Sequence, residues 1–396
     1  MPRNMVEGYE LSAERFRIAS PLRVFPIPGS SRRLNLVTDS INEGSLFGGV
    51  ATAIFFASLL AERWGCDLRV VTRTEKAKES NFEQVITQNA IPFRQRVTFE
   101  FADIHNPKSE IGITDGDIFI TTSWWTTASV LATVSPKRII YLLQEDERMF
   151  YSYGDEHLRC VQVLQSKEIS FVLNTRLLFD HLKNEGFDGV ARNGIYFEPS
   201  FNESCFNFSL NRGLAKKKNF FFYARPNNPR NLFLLGVDVL ERAIAEKVLD
   251  PDEWNIYFVG KDVPKLRLGG VVSPTVKANL SWQQYGELIR TVDLGLSLMY
   301  TPHPSYPPLD LAASGAVVVT NSCGLKTDLS QYSANILCKS LAVADLVEGL
   351  REGVALASNL ELRTSNFNKN GLSRRWEDSF ADVYPWIETR CANVLV

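Results

Sequence analysis

Tyr300-Thr301-Pro302-His303-Pro304-Ser305-Tyr306-Pro307-Pro308-Leu309-Asp310-Leu311-Ala312-Ala313-Ser314-Gly315 lies between two apolar runs, Leu294–Met299 and Ala316–Thr320. Both runs have the length and uninterrupted apolar character of buried parallel strands. Prolines at 302, 304, 307 and 308 exclude a regular helix over the first part of the stretch. Leu309–Ser314 then predicts a short helix closed by Gly315. A rigid loop thus carries Asp310 to a helix start at the carboxyl end of a strand. Open α/β sheets bind ligands at that place. The plainer alternative is a proline-rich turn whose acid is favoured by the helix dipole.

Outward from this stretch, strands and helices alternate. Toward the C-terminus of the chain the expected strands are Asn219–Tyr223, Asn255–Val259, Leu294–Met299, Ala316–Thr320 and Asn335–Leu337, with helices near Asn231–Glu246, Trp282–Arg290, Leu309–Ser314 and Val343–Ala357. An earlier series has strands at Leu34–Thr38, Leu68–Thr72, Val97–Phe101, Asp117–Thr121, Arg138–Leu143 and Ser170–Asn174, with helices at Val50–Trp64, Thr126–Thr133 and Arg176–Glu185. Such alternation predicts parallel, doubly wound sheets. Val50–Trp64 is apolar nearly all round, which predicts a buried helix. Glu198–Lys218 is rich in Asn, Ser and Lys and is the linker candidate. The expected divisions are an extended N-terminal arm over 1–33, a first domain over 34–205, a second over 206–372, and a final helical segment over 373–396 whose Trp376, Phe380 and Trp386 must bury a face.

The bulk numbers fit this division. A chain of 396 residues suits two domains. A hydrophobic content of 45%, a charged content of 22% and a net charge of −2 describe a soluble globular protein and argue against a nucleic-acid partner. No apolar run approaches the roughly 20 residues of a membrane span, and the N-terminus has no apolar core of a signal peptide. A cytoplasmic location is therefore expected. The six cysteines are scattered and the four histidines lack paired-ligand spacing, so neither a metal nor another cofactor is expected.

Several strand ends carry residues suited to chemistry. Phe47-Gly48-Gly49-Val50 opens the first helix, where glycines let a ligand approach and the helix N-terminus attracts phosphate; a tight turn is the alternative. Arg225 and Arg230 follow the strand Asn219–Tyr223, and paired arginines can grip phosphate oxygens and stabilise charge on a leaving group. Lys261 follows Val259-Gly260 and either reaches a phosphate or lies on the rim. Gln144-Glu145-Asp146-Glu147 places three acids at a strand end, either in an exposed loop or facing ligand hydroxyls. Trp124 and Trp125 end another strand, with sugar stacking and core packing as the two readings. His303 could hold a ligand hydroxyl or be structural.

Taken in order, these segments resemble the GT-B glycosyltransferases of family four over about residues 34–390. The matching pattern runs Pro304-Ser305, Asp310, Ala313, Gly315 and Val318-Val319. The second acid of the family pattern is Pro302 here. The likeness is strongest to bacterial rhamnosyltransferases that build S-layer and cell-surface rhamnans, through His303-Pro304-Ser305-Tyr306-Pro307-Pro308 and Gln144–Glu147. The resemblance implies an α/β fold of two Rossmann-like doubly wound domains facing a cleft, the last helix crossing back to the first domain. It implies a metal-independent, retaining transfer of a deoxyhexose, L-rhamnose from dTDP-L-rhamnose, to a hydroxyl of a growing glycan or lipid-linked glycan. Arg225, Arg230 and Glu147 would be catalytic. Gly48, Gly49, Lys261, His303, Ser305, Tyr306 and Asp310 would meet the donor, and Gln144, Trp124 and Trp125 the acceptor. Rival readings are a transferase with another nucleotide-sugar, an epimerase or phosphorylase on the same fold, and a non-catalytic glycan-binding relative. Contact with the inner face of a membrane and the oligomeric state stay open.

Overall fold

The structure, a computed structural model, describes residues 7–42, 48–208 and 216–391. Phe47 of the glycine motif and residues 209–215 of the linker candidate lie outside that range. The chain forms two compact units. The first comprises Met1–Glu198 and Ser379–Val396, the second Pro199–Asp378.

The first unit begins with a helix, Gly8–Arg15, and a short strand β1 (Val24–Pro26). It continues through β2 (Arg33–Thr38), β3 (Asp67–Thr72), β4 (Val97–Phe101), β5 (Ile111–Ile113), β6 (Asp117–Thr121), β7 (Ile139–Leu143), β8 (Ser170–Asn174) and β9 (Gly194–Phe197). Seven of these make one parallel sheet in the order β4-β3-β2-β6-β7-β8-β9, while β1 pairs in parallel with β5. The expectation of an extended arm over 1–33 is corrected. Its first part folds into helix Gly8–Arg15, and its end is held by β1 pairing and by Leu22, which is fully buried. The helix Gly49–Trp64 has eleven consecutive buried residues, Ala51 to Ala61, because both flanks of the helix are apolar. Gly65, with φ of 59°, takes the left-handed conformation that ends it.

The second unit holds β10 (Lys218–Ala224), β11 (Trp254–Gly260), β12 (Thr275–Ala278), β13 (Leu294–Leu296), β14 (Val317–Asn321) and β15 (Ile336–Lys339). They form a six-stranded parallel sheet in the order β12-β11-β10-β13-β14-β15. The order reverses between β10 and β13, so the loops after these two strands diverge and leave a crevice at their carboxyl ends. In the first unit the same reversal falls between β2 and β6.

The expected helix at 373–387 is also corrected. Two short helices replace it, Trp376–Ser379 and Val383–Cys391, and the boundary between units falls at the first of them. Phe380 and Tyr384 pack their rings on Phe56 at 5.2 and 6.0 Å, and Phe380 packs on Phe197 at 4.8 Å. Arg63 donates to Glu388 at 2.7 Å. The last stretch of chain thus completes the core of the first unit.

Candidate functional site

In the second unit, parallel pairing sets Ala224 of β10 beside Gly260 of β11. Any side chain at 260 would put its Cβ 1.7 Å from the Ala224 carbonyl oxygen, so glycine is required there. Arg225 and Lys261 are the next residues of the two strands and leave the sheet side by side. Arg225 donates from Nη1 to the Tyr223 hydroxyl at 3.3 Å. Asn227 donates to the Asp262 carboxylate at 3.1 Å and ties the two loops together.

The segment after β13 is held by its backbone. Met299 N–H donates to Asn321 Oδ1 at 2.8 Å, and Asn321 Nδ2 returns a bond to Met299 O at 3.0 Å. Tyr300 N–H donates to the Arg230 carbonyl at 2.7 Å, which brings the second arginine against this loop. His303 N–H donates to Thr301 Oγ1, and Ser305 N–H donates to His303 Nδ1 at 2.9 Å. Since Nδ1 accepts, the ring proton of His303 is on Nε2. His303 is 2% exposed, and its Nε2 has no hydrogen-bond partner among the described residues. The Ser305 hydroxyl is likewise buried and unpartnered. Ser305 also has φ of 69° and ψ of 152°, a conformation that side chains rarely adopt. Burial pushes the His303 imidazole down to about 3, helped by the nearby charges of Lys326 and Arg230. It is therefore a neutral donor at any working pH.

The helix after this loop begins at Tyr306, not Leu309. Pro307 and Pro308 occupy its first turn, where a missing N–H leaves no bond unmade and the fixed φ suits the helix. Asp310 is consequently one turn into the helix rather than at its start. Its Oδ2 accepts the Tyr285 hydroxyl at 2.9 Å. Asp310 is 7% exposed, and burial raises its carboxyl from 3.8 to about 8, the Tyr285 bond only partly offsetting this. Tyr285 sits on the helix Trp282–Ile289, whose start is set by reciprocal capping between Ser281 and Gln284. One edge therefore collects Arg225, Arg230, His303, Ser305, Tyr306 and Asp310, with Lys261 on the adjoining strand end.

In the first unit, Gly48 has φ of 64° at the entry to the helix Gly49–Trp64. Gln144 Nε2 donates to the Gly49 carbonyl at 2.6 Å, while Gln144 Oε1 is buried and without a partner among the described residues. These three residues come together as one constellation. Glu147 is 4% exposed, and its carboxylate accepts the backbone N–H of Trp124 at 2.7 Å, at the first turn of the helix Trp124–Leu131. Of the two readings for Trp124, core packing holds, and its place among the acceptor contacts is corrected. The ring is 2% exposed in the core, and its Nε1 donates to the Tyr151 hydroxyl at 3.1 Å. Trp125 is half-buried and donates from Nε1 to both oxygens of Asp39, at 2.8 and 2.9 Å. The acidic loop is not an exposed one. Asp146 is fully buried between Arg148, at 2.6 and 2.9 Å, and His181 at 3.3 Å, and these hydrogen-bond partners hold its carboxyl low against the effect of burial.

Four residues of these clusters escape a reading by motif. Tyr285 and Asp39 act as partners whose pairing is tertiary, so no local pattern marks them, while Tyr223, two residues from its partner Arg225, reads only as a strand residue. Lys326, fully buried, donates from Nζ to the Met299 carbonyl at 3.2 Å and sits in the loop after β14. Its position after a strand next to the switch point is the signal that would have found it.

The architecture is that of the GT-B glycosyltransferases, α/β with two Rossmann-like domains. Sucrose-phosphate synthase from Thermosynechococcus elongatus superposes with a TM-score of 0.61 at 12% identity, over 91% of this chain and 100% of that one. Anabaena HepE in complex with UDP and glucose gives 0.59 at 14% identity, over 92% and 99%. WaaG, a glycosyltransferase involved in lipopolysaccharide biosynthesis, gives 0.57 at 12% identity, over 91% and 99%. More particularly, residues 33–176 match the WsaF N-terminal domain and residues 218–351 the WsaF C-terminal domain, in that order. A curated relative, the O-antigen biosynthesis protein RfbC of Myxococcus xanthus, is 29% identical over 247 residues. That match takes in 60% of this chain and 18% of the much longer relative.

Proposed function

We propose that this chain is a glycosyltransferase of cell-surface glycan synthesis that moves L-rhamnose from dTDP-L-rhamnose to a hydroxyl of a growing glycan. The reading works at the cytoplasmic side, with retention at the sugar carbon and without a metal. The observation that carries it is the pair of buried, unpartnered polar atoms His303 Nε2 and Ser305 Oγ beside Arg230. Leaving such atoms without a partner is costly in the unliganded chain, and a hydroxylated, charged ligand removes the cost. The two WsaF domains and the O-antigen relative support the glycan-synthesis setting.

In this reading the diphosphate of the donor lies at Arg225, Arg230 and Lys261. The bond from the sugar carbon to the diphosphate oxygen breaks as the bond to the acceptor oxygen forms. The acceptor's proton passes to a phosphate oxygen of the leaving group, so the products are the glycoside and dTDP. Fixed cations favour the charge growing on that leaving group more than the ground state, which is what lowers the barrier. Asp310, steadied by Tyr285, receives the ribose. His303 Nε2–H and Ser305 meet the sugar. Gln144, Trp125 and Glu147 belong to the acceptor side.

The test is turnover of a panel of nucleotide-sugars with a rhamnan acceptor. dTDP-L-rhamnose should be consumed with release of dTDP, and EDTA should leave the rate unchanged. Loss with chelator and rescue by Mg²⁺ would contradict the metal-free mechanism. Preferred consumption of a UDP-sugar would contradict the donor.

A further inference from the structure

The first unit holds a second polar constellation that the transfer reaction does not use. A cavity of about 310 Å³ opens at the carboxyl ends of β3 and β4, lined among others by Arg17, Ser20, Arg23, Arg73, Asp103 and His105. Its volume is at the lower end of the range of ligand sites, roughly 300–1,000 Å³. Arg73 directly follows β3 and is fixed by its backbone. Its N–H donates to the Thr38 carbonyl at 3.0 Å, and its own carbonyl accepts Ile104 N–H at 3.1 Å. Arg73 is 3% exposed. Nη2 donates to the Ser20 carbonyl at 2.8 Å and reaches its hydroxyl at 3.4 Å, while Nε is buried and has no hydrogen-bond partner among the described residues.

The N-terminal segment supplies the other cations. Arg17 and Arg23 are exposed residues on either side of the buried Leu22 anchor region and line the same cavity. Arg17 donates to His105 Nδ1 at 3.0 Å, which leaves the ring proton of His105 on Nε2 as a further donor. Three arginines and one carboxylate, Asp103, line the cavity; Asp103 Oδ1 already accepts the His105 N–H at 2.8 Å, and Arg17 also lies 4.0 Å from the exposed Glu14 outside the lining. Asp39 also acts on Arg73, but both its oxygens accept Trp125 Nε1. Burial lowers the Arg73 guanidinium to about 10, so it stays charged at neutral pH. A buried cation with an unmet N–H, two exposed arginines and an excess of positive charge match a tetrahedral anion with several acceptor oxygens.

We propose that this cavity binds a phosphate ester, gripped by Arg73 from below and by Arg17 and Arg23 at its mouth. The segment ahead of β2 then has a function: it brings two arginines to the edge of the sheet. The phosphate could belong to a soluble ester or to a lipid headgroup, and the chemistry of the grip is the same.

The experiment uses the full chain and the double variant Arg17→Ala/Arg23→Ala. Both residues are exposed, so the variant should melt at the wild-type temperature without ligand. At constant ionic strength, sn-glycerol 3-phosphate should raise the wild-type melting temperature saturably, as a ligand of the folded state does. The variant should need at least tenfold more ester. In a second arm, sedimentation with phosphatidylglycerol vesicles is compared with phosphatidylcholine vesicles. Binding to the former alone, lost in the variant, supports the site and assigns the phosphate to a headgroup. A melting shift without vesicle binding supports it and assigns a soluble ester. No response to either probe, or equal responses in wild type and variant, would overturn the proposal.

Discussion

Thr175 in the first unit and Ser305 in the second have nearly the same backbone, with φ and ψ of 74° and 147° against 69° and 152°. Each is the residue before a helix that follows a strand of a parallel sheet, and each is buried. Their hydroxyls fare differently. Thr175 Oγ1 accepts the Leu178 N–H at 3.4 Å, and its backbone N–H donates to Phe197 O at 2.7 Å. Ser305 makes no such cap, and its Oγ is left without a partner among the described residues. The same unfavourable turn is closed internally in one unit and left open in the other. Strain alone therefore does not mark a ligand site, whereas strain together with an unmet buried polar atom does.

The largest effect is expected at the most charged point of the second unit. Arg225→Ala should lower turnover about 10²-fold or more, the scale of one lost electrostatic donor. The melting temperature should hold, because among the described residues the side chain bonds only to the Tyr223 hydroxyl. Unchanged steady-state kinetics would remove Arg225 from the mechanism.

Above about pH 8, where the Asp310 carboxyl is ionised, Asp310→Asn should weaken dTDP binding about tenfold or more, since a hydrogen bond to a charged group contributes roughly 1.5–3 kcal/mol and 1.4 kcal/mol is tenfold. Calorimetry decides this. Equal affinities would leave Asp310 with Tyr285 as its sole partner and with no ligand to meet.

Alanine at the two turn residues sharpens the contrast directly. Thr175→Ala should cost about 1 kcal/mol of stability, as loss of a helix cap does. Ser305→Ala should cost no stability, because the hydroxyl has nothing to lose in the unliganded chain. It should instead weaken donor binding about fivefold. Denaturant melts and donor titrations of both variants check the pair. Equal stability losses would mean that the two turns are alike.

A further effect is in the pH dependence of stability. Asp310 has a carboxyl near 8 in the folded chain against 3.8 ordinarily. Between about pH 4 and 8 the folded state holds a proton that the unfolded state has released, so this group's stabilisation falls as pH rises through the window. His303, near 3 in place of 6.5, has the opposite sign. Between those values the unfolded state holds more protons, so stability falls as pH falls. The two slopes oppose each other from about pH 4 to 6.5, and Asp310 is seen alone from about 6.5 to 8. Wild type should lose stability over that upper window relative to Asp310→Asn. Parallel profiles would contradict the buried carboxyl.

The sequence is legible where local patterning suffices. The strand patterns mark β2, β3, β4 and β6 to within a residue: β6 is buried throughout, and β4, half-exposed, alternates as Val-Thr-Phe-Glu-Phe. The strands missed are short or sit at an edge. β5 is three residues with glycine at its centre, and β12 is a half-exposed Thr-Val-Lys-Ala. At the site, Arg225 and Lys261 are readable because they follow strands. The true start of the helix Tyr306–Ala313 is not, because Pro307 and Pro308 look like helix breakers until their first-turn position is known. The partners Tyr285 and Lys326 are unreadable for a different reason. Each is brought to the edge by packing between elements that are 25 and 27 residues from their hydrogen-bond partners in sequence.

On the proposed function, His303 gives its unmet Nε2–H to the nucleotide-sugar. Nitrogen-15 NMR of the full chain labelled at its four histidines, with His303→Asn used to assign the resonance, tests it most directly. In the unliganded protein His303 should be neutral with its proton on Nε2 down to about pH 4. Saturation with dTDP-L-rhamnose should shift the Nε2–H resonance strongly while Nδ1 keeps its bond from Ser305 N–H. A resonance unmoved at saturating donor would contradict the account.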